Sequence, residues 1–131
     1  MHGGALAPTR EPFGSPNGTD DLIYLQQMYE HGAGAYFDAL AVHTYGFTRT
    51  ATEAPNPDVL NFRRAELLRE IMVANGDADK PVFITESGWN DNPRWSNGIS
   101  PSERIAQTLE AFDYVGREWP YVQQMCLWLL R

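Results

Sequence analysis

The residue best suited to chemistry is Glu86, which follows a short run of strand-favouring residues. Residues 82–85 (Val-Phe-Ile-Thr) predict a buried strand that carries this carboxylate to its C-terminal tip. A carboxylate in that position must be held by hydrogen bonds or used in a reaction. Its natural roles are nucleophile or general base.

His43 and Tyr45 are the first candidates to act beside Glu86. They lie two residues apart in a second apolar run, so their side chains leave the same face of a strand. An imidazole and a phenol on that face would hydrogen-bond substrate hydroxyls or hold Glu86 in its ionised state. The alternative is that both are core residues whose polar ends are satisfied internally.

Three tryptophans, Trp89, Trp95 and Trp128, are candidate substrate-binding residues. An indole stacks on the apolar face of a sugar ring while its N–H donates to a hydroxyl. For Trp95, which lies in a loop, simple packing at the rim of the site is an equal alternative. Trp119, at a predicted helix end, is expected to serve packing alone.

We expect neither a metal nor a cofactor. The chain has three histidines, and no two have the spacing of a ligand pair. The glycines at Gly32 and Gly34 follow a predicted helix instead of preceding one, so they do not form a phosphate-binding loop.

An alternation of strands and helices is predicted to position these residues. The predicted elements are a strand tail near 3–8, a helix over 20–31, a strand over 37–45, a helix over 58–75, a strand over 82–86, a helix over 101–118 and a strand over 122–129. This order predicts an α/β fold with a parallel sheet, in which ligands bind at the C-terminal strand ends. A barrel and an open sheet both fit it.

Local signals refine the three helices. Thr19 is the predicted N-cap of the first helix, and Ser100 with Glu103 predicts a capping box before the third. The charged residues of the second helix predict a solvated face, namely Arg63, Arg64, Glu66, Arg69 and Glu70. The apolar stripe of the third helix comprises Ile105, Leu109, Phe112 and Val115.

Composition excludes several classes of partner. The 131 residues include 43% hydrophobic and 21% charged residues, as in a globular protein. A net charge of -7 argues against nucleic acid and anionic membranes, and no apolar run approaches the roughly 20 residues that span a bilayer. No export signal is visible at the N-terminus, and localisation is undetermined.

Four segments together resemble the C-terminal half of a clan A glycoside hydrolase. They are residues 4–9 (Gly-Ala-Leu-Ala-Pro-Thr), 37–46 (Phe-Asp-Ala-Leu-Ala-Val-His-Thr-Tyr-Gly), 80–89 (Lys-Pro-Val-Phe-Ile-Thr-Glu-Ser-Gly-Trp) and 126–128 (Cys-Leu-Trp). The nearest kin are (β/α)8-barrel enzymes of the family 39 and family 5 type. The resemblance implies that residues 1–131 are a single partial domain, cut at both ends, with roughly strands five to eight of a TIM barrel.

The resemblance also implies roles for the candidate residues. Glu86 matches the catalytic nucleophile on strand seven, His43 and Tyr45 match the strand-six pair beside it, and Trp128 matches a sugar platform on strand eight. The acid/base of these enzymes is a glutamate that follows an asparagine on strand four. No Asn-Glu pair occurs in this sequence, so we expect that group upstream of Met1.

Three hypotheses follow for a chain with one carboxylate of a catalytic pair. The first is part of a retaining glycosidase, with a carbohydrate substrate and a missing N-terminal half-barrel as partner. The second is a non-catalytic carbohydrate-binding or assembly module. The third is self-association of two copies through open sheet edges.

Overall fold

A computed structural model describes residues 2–128 as four strands and three α-helices in alternation. A single turn of 3-10 helix, Ala33–Tyr36, precedes the second strand and was not predicted. The elements are β1 (His2–Leu6), α1 (Asp21–Glu30), β2 (Ala39–Tyr45), α2 (Arg64–Ala74), β3 (Val82–Gly88), α3 (Pro101–Glu118) and β4 (Val122–Met125).

The strands form one parallel sheet in the order β1-β2-β3-β4. The predicted α/β class with a parallel sheet is therefore confirmed. Crossovers between parallel strands are right-handed in nearly all proteins, so an order that never reverses direction puts the three helices on one face of the sheet. Within residues 2–128, no helix lies against the other face of the sheet.

The hydrophobic core lies between the sheet and its helices. Leu40 and Val42 of β2 and Ile84 of β3 are fully buried and belong to the same cluster as Leu25 of α1 and Leu68 of α2. Aromatic stacking extends this core toward α3: Phe62 stacks on Trp119 at 5.4 Å between ring centroids. Trp119 is a packing residue, as predicted.

Several predicted boundaries are wrong. Strand β2 begins at Ala39 instead of 37, and β3 continues to Gly88, two residues beyond its predicted end at Glu86. Helix α2 begins at Arg64 instead of 58, because turns occupy the preceding residues. The N-cap of α1 is Asp20 instead of Thr19, and its carboxylate accepts hydrogen bonds from the backbone of Leu22 and Ile23. Strand β4 ends at Met125, so residues 126–128 are not part of it as predicted, and the predicted last residue, 129, lies outside the described residues.

The charged face of α2 is not a uniformly solvated surface. The Arg64 side chain is 1% exposed and forms ion pairs with Asp21 at 2.8 Å and with Asp20 at 3.0 Å. Its guanidinium also donates to the backbone carbonyl of Pro57. Arg64 therefore ties α2 to the start of α1 from within the protein, where a solvated residue was expected.

Of the apolar stripe of α3, Val115 packs against the core but the other three residues do not. Ile105, Leu109 and Phe112 are 56%, 66% and 45% exposed, respectively. The buried residue of this helix is Ala111, and Gln107 reaches back to accept a hydrogen bond from the backbone of Ala51. Helix α3 thus contacts the body of the protein through Ala111, Gln107, Tyr114 and Val115, and it presents Ile105, Leu109 and Phe112 outward.

Candidate active site

An irregularity in the pairing of β2 with β3 sets the direction of Glu86. Val42 pairs with Ile84, but the next residue, His43, pairs with Glu86, so Thr85 is an extra residue on β3. Strict alternation would put Glu86 on the same face as the buried Ile84. The bulge changes this parity and turns Glu86 to the face of His43.

Glu86, His43 and Tyr45 converge at the C-terminal ends of two adjacent strands. The Tyr45 hydroxyl donates a hydrogen bond to Oε2 of Glu86, and Nδ1 of His43 lies 3.5 Å from the same oxygen. Within residues 2–128, Oε1 makes no hydrogen bond. The structure thus brings the three predicted residues together and leaves one carboxylate oxygen without a hydrogen bond from the described residues.

The environment of Tyr45 keeps its hydroxyl protonated. Partial burial raises the pKa of this phenol, and the hydrogen bond to Glu86 and the negative charge of Glu86 raise it further, well above the ordinary value. Tyr45 is therefore a hydrogen-bond donor to Glu86 throughout the neutral range.

Backbone hydrogen bonds hold the strand ends in place around Glu86. The amide of Gly46 donates to the carbonyl of Gly88 at 3.1 Å, and the amide of Trp128 donates to Ser87 at 2.9 Å. The Ser87 hydroxyl also donates to the carbonyl of Cys126. The residues beyond β2 and beyond β4 are thereby fixed to the end of β3.

A cavity of about 580 Å³ opens beside Tyr45. Ligand pockets of small molecules fall in this size range. Tyr45, Trp89, Trp95 and Trp128 of the predicted residues line it, whereas Glu86 and His43 are not among the described residues that do so. Tyr45 connects the cavity with Glu86, since it lines the cavity and donates a hydrogen bond to Glu86.

The three predicted tryptophans differ in what they offer a ligand. Trp95 and Trp128 are 40% and 59% exposed, so each presents aromatic surface to the cavity. Trp89 is buried: it stacks on Phe62 at 5.5 Å, and its indole N–H donates to the carbonyl of Arg49. The N–H that was expected to bind a sugar hydroxyl is already used inside the protein.

Phe47, Asp91 and Arg104 are among the residues that line the cavity without having been predicted from the sequence. Phe47 adopts a positive φ of 54° and lies between Tyr45 and Trp95. Asp91 and Arg104 form an ion pair at 2.8 Å. In the sequence, the one feature that could have indicated a role for Phe47 was its position directly after Gly46, at the end of a predicted strand.

Within the described part of the chain, no group of three or more His, Cys, Asp and Glu side chains is arranged to hold a metal ion. Among residues 2–128, no helix combines the length and the apolar character needed to cross a membrane.

Comparisons with known proteins do not place the chain. No known protein family, no curated protein and no solved structure matches it.

Proposed function

We propose that this chain carries part of the active site of a retaining hydrolase of β-glycans or β-glycosides, with Glu86 as the nucleophile. The observation that supports it best is the convergence of His43 and Tyr45 on Oε2 of Glu86 at the C-terminal ends of adjacent parallel strands. Ligands of parallel sheets bind at that edge.

The arrangement suits nucleophilic attack by the carboxylate. Tyr45 and His43 approach Oε2 and orient the group, which leaves Oε1 for the anomeric carbon of a sugar. In the first step Oε1 forms an ester bond to that carbon while the glycosidic bond breaks, and the departing oxygen receives a proton from a general acid. Water then hydrolyses the ester and regenerates Glu86.

The general acid must come from a second carboxyl group, about 5–5.5 Å from Glu86 in retaining enzymes. Asp91 lines the cavity but is paired with Arg104. The proposal therefore places the acid on chain outside this sequence, in a missing N-terminal half-barrel. The finer fold, roughly strands five to eight of a (β/α)8 barrel, belongs to the same proposal. The unreversed strand order and the open edge strands support it.

Trapping the covalent intermediate tests the role of Glu86 in this chain alone. Dinitrophenyl 2-deoxy-2-fluoro-β-glycosides of glucose and xylose release dinitrophenolate without needing a proton, so no general acid is required. We expect mass spectrometry to find one fluoroglycosyl group on the peptide that contains Glu86. The adduct should be absent in Glu86→Gln and retained in Glu70→Gln, which changes an exposed glutamate of α2. An adduct at another residue, or none, contradicts the proposal.

A second candidate function is carbohydrate binding without turnover. It is favoured by the position of the cavity, whose described lining includes Tyr45, Trp95 and Trp128 but not Glu86. For this function, sugar binding to the isolated chain would be insensitive to Glu86→Gln and lost in Trp128→Ala. Formation of the trapped adduct would decide against it.

A further inference from the structure

We propose that Phe47 and Trp95 form a second ring-binding subsite, so that the site accepts neutral oligosaccharides in preference to single sugars. This inference rests on the proposed function and names its class of substrate. It makes Phe47 a specificity-determining residue that lies beyond the group around Glu86.

The backbone of Phe47 is the first support. Its φ of 54° is in the left-handed region, which aromatic residues rarely adopt and which costs energy for any residue with a side chain. Such conformations persist only where the surrounding structure imposes them, and they cluster at functional sites.

The structure around Phe47 imposes that conformation. A Cβ on the preceding Gly46 would lie 1.8 Å from Cε2 of Trp89, so the chain passes directly against the buried indole. The amide of Arg49 donates to the carbonyl of Gly46, and the carbonyl of Arg49 accepts the Trp89 indole N–H at 2.8 Å. The turn is thus fixed on both sides of Phe47, and the phenyl ring is directed before any ligand arrives.

The ring of Phe47 lies in a row of aromatic side chains that leads away from Glu86. Its centroid is 6.1 Å from that of Tyr45 and 6.3 Å from that of Trp95, both in tilted geometry. All three rings line the same cavity, and Phe47 remains half-buried instead of joining the core. A ligand ring that contacts Tyr45 beside Glu86 would therefore have a neighbouring aromatic surface for the next ring.

The polar groups of the cavity favour neutral, hydroxyl-rich ligands. Asp91 and Arg104 offset each other's charge while still presenting acceptor and donor atoms, and the exposed Asn90 adds an amide. The volume of about 580 Å³ is in the range for drug-sized ligands. The net charge of -7 disfavours an acidic glycan.

Calorimetric titration of the chain with four probes tests the inference: glucose, xylose, cellobiose and xylobiose. We expect at least one disaccharide to bind more tightly than its own monosaccharide. In Phe47→Ala the affinity for that disaccharide should fall about threefold to tenfold, the worth of one aromatic contact, with little change for the monosaccharide. Trp95→Ala should have a similar effect, and Phe47→Tyr should retain the affinity.

Two further variants separate binding from packing. Phe47→Gly removes the ring but suits the positive φ, so its melting temperature should be unchanged or higher while its disaccharide affinity falls. Tyr36→Ala is the matched control, since it removes an exposed aromatic ring before the start of β2. It should bind like the wild type.

The outcomes distinguish the inference from the function on which it rests. If each disaccharide binds with the same affinity as its monosaccharide, and Phe47→Ala does not change that affinity, the second subsite is overturned. The trapping experiment at Glu86 then still tests the proposed function. Loss of stability in Phe47→Gly with unchanged affinity also overturns it. Failure of all four probes to bind at millimolar concentration contradicts carbohydrate binding and the inference together.

Discussion

His43 stands opposite Glu86 across β2 and β3, although the preceding pair is Val42 with Ile84. The single extra residue, Thr85, is what turns Glu86 away from the helix-covered core and toward His43 and Tyr45. Bulges are over-represented beside active sites, where they change the direction of a side chain. The proposed nucleophile therefore owes its direction to its neighbour in the chain.

The hydrogen bond from Tyr45 to Glu86 predicts an unusual titration. Burial and the Glu86 carboxylate raise the pKa of Tyr45 above its ordinary value, so the folded protein favours the neutral phenol. This contribution to stability is complete below the unfolded pKa of about 10 and is lost as the pH rises through the folded pKa. We expect carbon NMR of labelled tyrosine rings to show a tyrosine, identified by Tyr45→Phe, that ionises late.

Glu86→Gln should lower the pKa of Tyr45, because it removes the negative charge next to the hydroxyl. The chain offers a matched control in Tyr114, whose pKa is raised by burial and then by Glu66. Glu66→Gln should lower the pKa of Tyr114 and leave that of Tyr45 unchanged. A Tyr45 titration that is insensitive to Glu86→Gln would contradict the contact.

The buried ion pair of Arg64 predicts a large loss of stability in Arg64→Ala. The variant leaves Asp21, which is 3% exposed, without its cationic partner. Breaking a buried pair in this way costs about 3–5 kcal/mol of unfolding free energy, measured by urea denaturation. Arg117→Ala removes an exposed pair with Asp113 and should cost less than about 0.5 kcal/mol. Similar losses in both variants would refute the structural role of Arg64.

The contacts of the Glu66 carboxylate predict that the folded protein loses stability in acid. Burial would raise the pKa of its carboxyl, but hydrogen bonds from Arg63, Trp119 and Tyr114 outweigh burial and lower it. The unfolded chain therefore binds the proton more readily. The stabilisation is present above the unfolded pKa and is lost as the pH falls through the folded pKa.

The measurement is the unfolding free energy between about pH 5 and pH 3, where glutamate titrates. Glu66→Gln should make it depend less on pH than in the wild type. Glu70→Gln removes an exposed glutamate of the same helix and should keep the wild-type slope. If Glu70→Gln flattened the curve as much as Glu66→Gln, the assignment to Glu66 would fail.

The sequence predicted the order of elements and most of the residues around Glu86, because apolar periodicity and helix caps are local signals. The bulge at Thr85 is not such a signal: alternation from Ile84 alone would have turned Glu86 into the core. The strained Phe47 was missed for the same reason, since its conformation is imposed by Trp89, a residue distant in sequence.

Two errors arose from assigning helix faces by composition. Arg64 was expected in solvent because it is charged, yet partners on α1 allow it to be buried. Ile105, Leu109, Phe112 and Val115 were predicted to form one apolar stripe of α3, yet of these four only Val115 packs against the core and the other three are exposed. Periodicity identifies a face, whereas tertiary contacts decide what covers that face.

The exposed apolar side of α3 predicts self-association of the isolated chain. Leu109 and Phe112 are 66% and 45% exposed on one side of this helix, and β1 and β4 are the edge strands of the sheet. Contiguous apolar surface and open strand edges both promote contact between copies. We expect sedimentation velocity to show a weight-average mass that rises with protein concentration.

In the double variant Leu109→Glu, Phe112→Glu this rise in mass should shrink, because burying the patch would then desolvate two carboxylates. Ala106→Glu adds a charge at an exposed position beside the stripe and should associate like the wild type. A monomer at every concentration would exclude association through either surface.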